Sequence, residues 1–462
     1  MTIKDTKQIH ELEKRLKALE AESKLLSKEI GQAKKNKDPN ADAIIAKKKK
    51  MHLDEIDPLK ATIKQLKSSE RCSKSISQEN GLTMAVEVPS PYIEKQRSSE
   101  NDSSLTLKQV EISKEPNTDK WDAFIDNHPM GSIYYQSDFL RSIYKSLGHR
   151  ILLLSLVDQD TGQVKAALPI IEQKSILFGH LWTSIALVNY GGVLAVSEIA
   201  EKKLLEQAET SAKREGVERL EVRGLYKRPI SWRASTGKAS MWLKLPSNHN
   251  PDELLKHFKA KLRSQIKKGY TDEVSCRVGG VELVDDYYKV FARNMRDLGT
   301  PVYSKTLFRG LLKDLTENAK LVVIYFSGKP ASAALLIKNN RMMEIPWAST
   351  IREYNSANLN MVLYWEVLKY SCERQCDVFD FGRSSVGAST YRFKKQWGAQ
   401  PVQHYWYSWE PCTAMQQTQH DSNAQRQTSA ENPKFRILIA FWKHLPVWIS
   451  KLIGPGIVKY IP

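Results

Sequence analysis

The sequence predicts an α+β chain: an antiparallel pair of helices, then two successive copies of one mixed helix-and-strand unit. Three observations carry this. Ile9, Leu12, Leu16, Leu19, Ser23, Leu26 and Ile30 alternate spacings of three and four, the seam of a coiled-coil helix. From about Trp121, apolar runs of strand length come in consecutive hairpin-like groups between helical periods, a mixed layer rather than a doubly wound sheet. The order helix, strands, helix, strand across 117–246 then recurs across 247–410, as two copies of one domain would.

Length and charge bound the partners. A chain of 462 residues exceeds one core, so two or three domains are expected. Its 70 Lys+Arg against 52 Asp+Glu give a net charge of +18, which suits phosphates of nucleic acid, nucleotides or anionic lipid. Five cysteines without a C-x-x-C pair indicate neither a disulfide framework nor a zinc site, and no metal is expected. The N-terminus lacks an apolar leader and no run reaches membrane-spanning length, so a cytoplasmic place is expected.

In the first 70 residues, the seam ending at Ile30 is followed by a polar turn, Lys34 to Asn40, and a second seam through Ile45, Lys49, His52, Ile56, Leu59, Ile63 and Leu66. Pro58 should kink that second arm. Residues 71–116 are Ser-rich and read as a flexible linker, with 81–92 apolar enough for a short docked strand. The first domain, 117–246, offers helices near Trp121 and Phe139, strands at 151–157, 164–171 and 184–190, a glycine turn at Asn189-Tyr190-Gly191-Gly192, a helix at 198–215 and a strand at 219–223. The second, 247–410, opens with a basic amphipathic helix, 252–269, whose outer face carries Arg263 and Lys267. After a polar tether, 411–432, the tail 433–462 combines aromatic and aliphatic residues with lysines and no acid. It is too interrupted by cations and prolines to span a bilayer, and fits an anionic membrane surface or packing back on the core.

The stretch with most chemistry in it is 378–398. Val378-Phe379-Asp380-Phe381 reads as the end of a buried strand with one carboxylate, stopped by Gly382. Beyond Arg383, the run Tyr391-Arg392-Phe393-Lys394-Lys395-Gln396-Trp397 interleaves three cations with three rings. Such a segment can set ammonium and guanidinium groups at the mouth of an aromatic pocket for an anionic or polarised substrate; the alternative is a corner whose cations face water.

Through Arg296-Asp297-Leu298-Gly299-Thr300-Pro301-Val302-Tyr303-Ser304, the FDFGRS strand end, YRFKKQWGA and the tail WKHLP…IGP, residues from 117 onward resemble FemAB-like acyltransferases of the GNAT superfamily. They are similar above all to the exosortase (PEP-CTERM) system-associated branch. The resemblance implies tandem GNAT-like domains with a cleft between them. It also implies transfer of an aminoacyl group from tRNA to an amine of a cell-envelope or exopolysaccharide-related precursor, with no tightly bound cofactor. On that pattern Lys394, with Lys395 second, would stabilise the developing oxyanion. Asp380, Arg383, Arg392, Tyr391 and Trp397 would line the cleft, and Arg263 with Lys267 would hold phosphate. The hairpin resembles the tRNA-binding arm of seryl-tRNA synthetases through Leu26 to Lys35, which implies tRNA as partner; a spacer or dimerisation hairpin is the alternative. The branch is equally described as GNAT N-acyltransferases, whose donor would be acyl-CoA. Arg383-Ser384-Ser385-Val386-Gly387-Ala388, however, places its first glycine one position late for a Q/R-x-x-G-x-G/A pyrophosphate loop. A third reading is a non-enzymatic RNA- or membrane-binding scaffold on the same fold. Under each reading a cytoplasmic place is expected, peripheral to the inner membrane if the tail meets lipid.

Overall fold

A computed structural model describes residues 3–36, 41–60, 62–63, 87–93, 104–115, 117–175, 178–228, 230–411 and 433–461. The tip of the polar turn, most of the Ser-rich linker and the polar tether lie outside the described residues.

The N-terminal unit is a helical hairpin. Helices α1 (Ile3–Lys35) and α2 (Ala41–Met51) pair antiparallel, with Lys48 Nζ donating to Ser27 Oγ at 2.8 Å and Ser23 Oγ 2.9 Å from His52 Nε2. Leu26, Met51 and Ile56 form its small core. The proline kink takes the form of a π turn, His52–Ile56, in which the Asp57 N–H reaches back to the His52 carbonyl. Pro58 has no N–H to give to the carbonyl four residues back, so the helix widens just before it.

The rest of the described chain holds two sheets. The first contains β1 (Leu105–Glu111), β2 (Ile151–Asp158), β3 (Val164–Ser175), β4 (Gly179–Ser184), β5 (Leu194–Ala195), β6 (Arg219–Gly224) and β7 (Arg233–Ser235), with α3 (Asp119–Asn127), α4 (Ser137–Leu147) and α5 (Glu198–Arg214). Strand β1 falls inside the expected linker. Its alternating Leu105, Leu107 and Gln109 form an edge strand on β2, so the globular part begins earlier than 117. At 87–93, Tyr92 bridges to Ala195 and its hydroxyl donates to Glu201 Oε2 at 2.7 Å, a docked segment in the stretch expected to carry one.

The second half adds α6 (Pro251–His257), α7 (Ala260–Gly269), β9 (Val274–Gly279), α8 (Val284–Leu298), α9 (Lys305–Asp314), β10 (Ala319–Phe326), β11 (Lys329–Asn339), β12 (Met342–Thr350), α10 (Leu359–Glu373), β13 (Val378–Ser385) and α11 (Ser389–Lys395). The expected single helix 252–269 is two helices. Phe258 leaves helical geometry to drop its ring between Trp365 and Trp397, with centroids at 6.1 and 5.5 Å.

Sequence halves and sheets do not coincide. Strand β8 (Lys238–Lys244), at the end of the first half, lies in the second sheet between β13 and β14 (Gln400–Gln403), while β15 (Tyr405–Trp409) crosses into the first sheet between β6 and β7. A boundary at 246 therefore cuts neither sheet cleanly. The tail forms α12 (Pro433–His444) and α13 (Val447–Val458), packed on α8.

Candidate active site where the exchanged strands meet

The site grows from one irregularity. Gly382 does not stop β13; the strand continues to Ser385 with a bulge against β8 between Asp380 and Arg383, and Gly382 takes φ +76°. That positive φ is glycine territory. The bulge lets Asp380 Oδ1 accept the Gly382 N–H at 2.7 Å and turns two carbonyls toward α11. Lys394 Nζ donates to both, at 2.9 Å to Gly382 O and 3.1 Å to Arg383 O. An ammonium has three donors, and Lys394 has two of them satisfied in this way.

Two buried carboxylates stand beside it. Glu344 on β12 and Asp380 on β13 are direct cross-strand partners, and both are withdrawn from water. Burial first, and for Glu344 the charge of Asp380 second, push both carboxyls above their ordinary range, so the pair holds on to protons. Glu344 is gripped from the first half: Tyr134 Oη donates to Oε2 at 2.6 Å and Asn189 Nδ2 to Oε1 at 2.5 Å. Tyr190 Oη reaches Asp380 Oδ2 at 3.4 Å. Burial lowers Lys394 to about 8, against the opposing pull of Asp380.

A cationic patch adjoins the cluster. Arg223 on β6 and Arg383 on β13 both stack on the Trp406 ring of β15, with guanidinium carbons 4.3 and 4.8 Å from its centroid. Arg223 is paired with Glu221 at 2.7 Å. Lys238 Nζ donates to Ser385 Oγ at 2.5 Å, and its own ammonium is disfavoured by burial and then by Arg383. His404, fully buried and 3.0 Å from Ser240 Oγ, is driven down to about 3 by burial and then by these three cations, so it stays a neutral ring. Further along, a cavity of about 240 Å³ is lined by Tyr135, Tyr190, Trp242 and Met342, and Tyr190 joins its wall to Asp380.

Of the residues singled out in the sequence, Lys394, Asp380 and Arg383 meet here. Others do not. Tyr391 is buried and Trp397 fully so, the latter ringed by Phe258, Tyr364, Phe381 and Phe393; it is second-domain core and no pocket wall. On the short helix α11, Tyr391 and Lys394, three positions apart, share the inward face, which turns Arg392 out to solvent and leaves Lys395 half-buried. Arg263 caps the first of the two helices by donating to Lys256 O at 3.2 Å and Phe258 O at 2.6 Å, and Lys267 is exposed on α7; neither takes part in the cluster. Glu344, Tyr134, Asn189, Arg223 and Trp406 were missed. Glu344 had a signal: a lone acid inside an apolar strand, the same mark that Asp380 carries.

Residues 256–395, which include Glu344, Asp380 and Lys394, match the acetyltransferase (GNAT) domain family. No curated protein matches the sequence. Among solved structures the crystal structure of FemX is similar at 14% identity, covering 68% of this chain and 100% of that one, with a TM-score of 0.50. A tandem GNAT protein from the clavulanic acid biosynthesis pathway (11% identity, 66% and 98% coverage, TM-score 0.44) is also similar. So is the C-terminal domain of a putative lysylphosphatidylglycerol synthetase from Agrobacterium fabrum (14%, 60% and 88%, 0.41). The fold is thus a mixed α+β one with two sheets, consistent with tandem GNAT-like domains and similar to that of FemX, preceded by a helical hairpin. Residues 256–395 are a GNAT-type acyltransferase domain.

Proposed function

We propose that the protein transfers an aminoacyl group from tRNA to an amine of a cell-envelope or exopolysaccharide-related precursor, in the manner of Fem-type enzymes and in the exosortase-associated branch that its motifs resemble. The observation that carries this reading is the Lys394 ammonium, held by two carbonyls beside a buried carboxyl pair in the GNAT-matching segment. The acceptor amine attacks the acyl carbonyl, a C–N bond forms, and the carbonyl oxygen gains negative charge. Lys394 stabilises that charge with a pre-placed N–H, in a site where little water competes. The ester C–O bond then breaks, and the proton shed by the amine passes to the leaving ribose oxygen. Asp380, which gives up its proton more readily than Glu344, supplies the negative charge that helps keep Lys394 charged. Arg223, Arg383 and Lys238 around Trp406 suit the phosphates of donor or precursor. The lysine-bearing hairpin is the element to engage tRNA.

The matched GNAT domain favours a second reading, acyl-CoA as donor with the C–S bond broken instead. Thermal shift of the purified chain with charged tRNA and with a panel of acyl-CoAs separates the two. Stabilisation by charged tRNA that weakens on deleting residues 1–70 supports the aminoacyl reading. Stabilisation by an acyl-CoA alone replaces it with the second.

A further inference from the structure

The tail packs one face and leaves the other bare. Inward, α13 presents Ser450, Gly454 and Val458, and a Cβ at Gly454 would lie 2.9 Å from the Val302 nitrogen, so helix and loop are in backbone contact. Trp442 of α12 is buried, and Arg296 Nη1 donates to Leu445 O at 2.7 Å. The chain end reaches the first sheet, where Gln173 Nε2 donates to Lys459 O and Ile461 O, each at 3.3 Å. The tail is therefore fixed to both halves.

Outward, Leu452, Trp448 and Phe441 are 73%, 67% and 64% exposed, the highest values among the large apolar residues described. Ile453 and Ile457 at the flanks of α13 are also exposed, and exposed Leu298 ends the α8 helix that the tail covers. A helix apolar on all sides is ordinarily buried, and a bare patch of this kind marks an interaction surface. The charge around it says which kind. From 433 to 462 the sequence has no Asp or Glu, while Lys443, Lys451 and Lys459 stand among the apolar residues. A second copy docked through the same patch would bring lysine against lysine. The α13 helix, 12 residues long, is far too short to cross a bilayer, and among the described residues no helix is long and apolar enough to do so.

We propose that this face lies in the plane of an anionic lipid surface, with Trp448, Leu452 and Phe441 in the headgroup region and the exposed Lys443 on the lipid phosphates, while Lys451 lies over the Tyr288 ring and Lys459 over Tyr460. The proposal stands independently of the acyl donor. It is tested by flotation of the full chain with vesicles of phosphatidylglycerol and phosphatidylcholine, beside pure phosphatidylcholine vesicles and the W448S/L452S variant. Both side chains point away from the core, so the variant should melt with the wild type. Expected are binding to the mixed vesicles that weakens with salt, at least ten-fold weaker binding to neutral vesicles, and a similar loss in the variant. Equal binding by the variant, or equal binding to neutral vesicles, overturns it. A concentration-dependent dimer in light scattering that disappears in the variant assigns the patch to a second copy and likewise overturns it.

Discussion

Two stretches of this protein look alike as sequence, the basic helical region 251–269 and the segment 389–398, and the fold treats them in opposite ways. In the first, Arg263 ties off the carbonyls of the preceding helix and Lys267 stays in water. In the second, Lys394 is drawn inside, onto two carbonyls exposed by the bulge at Gly382 and next to Asp380 and Glu344. Cation density is the same cue in both. What separates them is whether a buried acid and a broken ladder wait on the other side.

The sharpest way to break that contrast is to remove one cation from each region. Lys394→Met should lower kcat by about 10²–10³-fold, the cost of deleting one oxyanion donor, with the fold retained by circular dichroism though at a lower melting temperature, since two buried carbonyls lose their donor. Lys267→Met should leave turnover unchanged, and comparable losses in the two variants would erase the distinction. In the wild type the rate should fall as pH rises through about 8, where Lys394 loses the charge it needs; a rate still climbing at higher pH would rule the ammonium out.

The bulge comes next. Gly382→Ala places a side chain at φ +76° and should cost about 1–2 kcal/mol in denaturant unfolding; an unchanged midpoint would mean the bulge is not under strain. The carboxyl pair gives a smaller, pH-dependent effect. Because burial raises Glu344 above its unfolded value, the native state binds the extra proton, and this contribution is full below the unfolded carboxyl range and lost as pH rises through the folded value. Its slope is at most about 1.4 kcal/mol per pH unit for one proton. Glu344→Gln, neutral throughout, should flatten that part of the stability curve. Smallest is Arg263→Ala, which gives up carbonyl contacts at an exposed position and should cost under about 1 kcal/mol.

Much of the architecture was written in local periodicity. The hairpin seam, the repeated unit and the tail as a separate apolar-basic segment can all be read from residue spacing, because burial of one helix or strand face imposes a period on the chain. Lys394 and Asp380 were legible for a different reason, a charge set among rings and branched residues. What could not be read were contacts made by long-range pairing. Arg223 and Trp406 lie 183 positions apart in sequence and meet because β15 joins β6. Tyr134 and Asn189 look like ordinary turn residues until β12 is seen beneath them. Trp397 misled because a ring beside lysines looks the same in sequence whether it walls a pocket or fills a core.

The traded strands have a mechanical meaning. With β8 hydrogen-bonded into one sheet and β15 into the other, the two halves cannot swing apart as a jaw would without unzipping a ladder at each side. On the proposed function, a substrate would enter between the halves without their parting. Donor and acceptor would on that reading reach Lys394 as slender arms, an acyl end from one side and a flexible amine from the other, with their bulky carriers held outside.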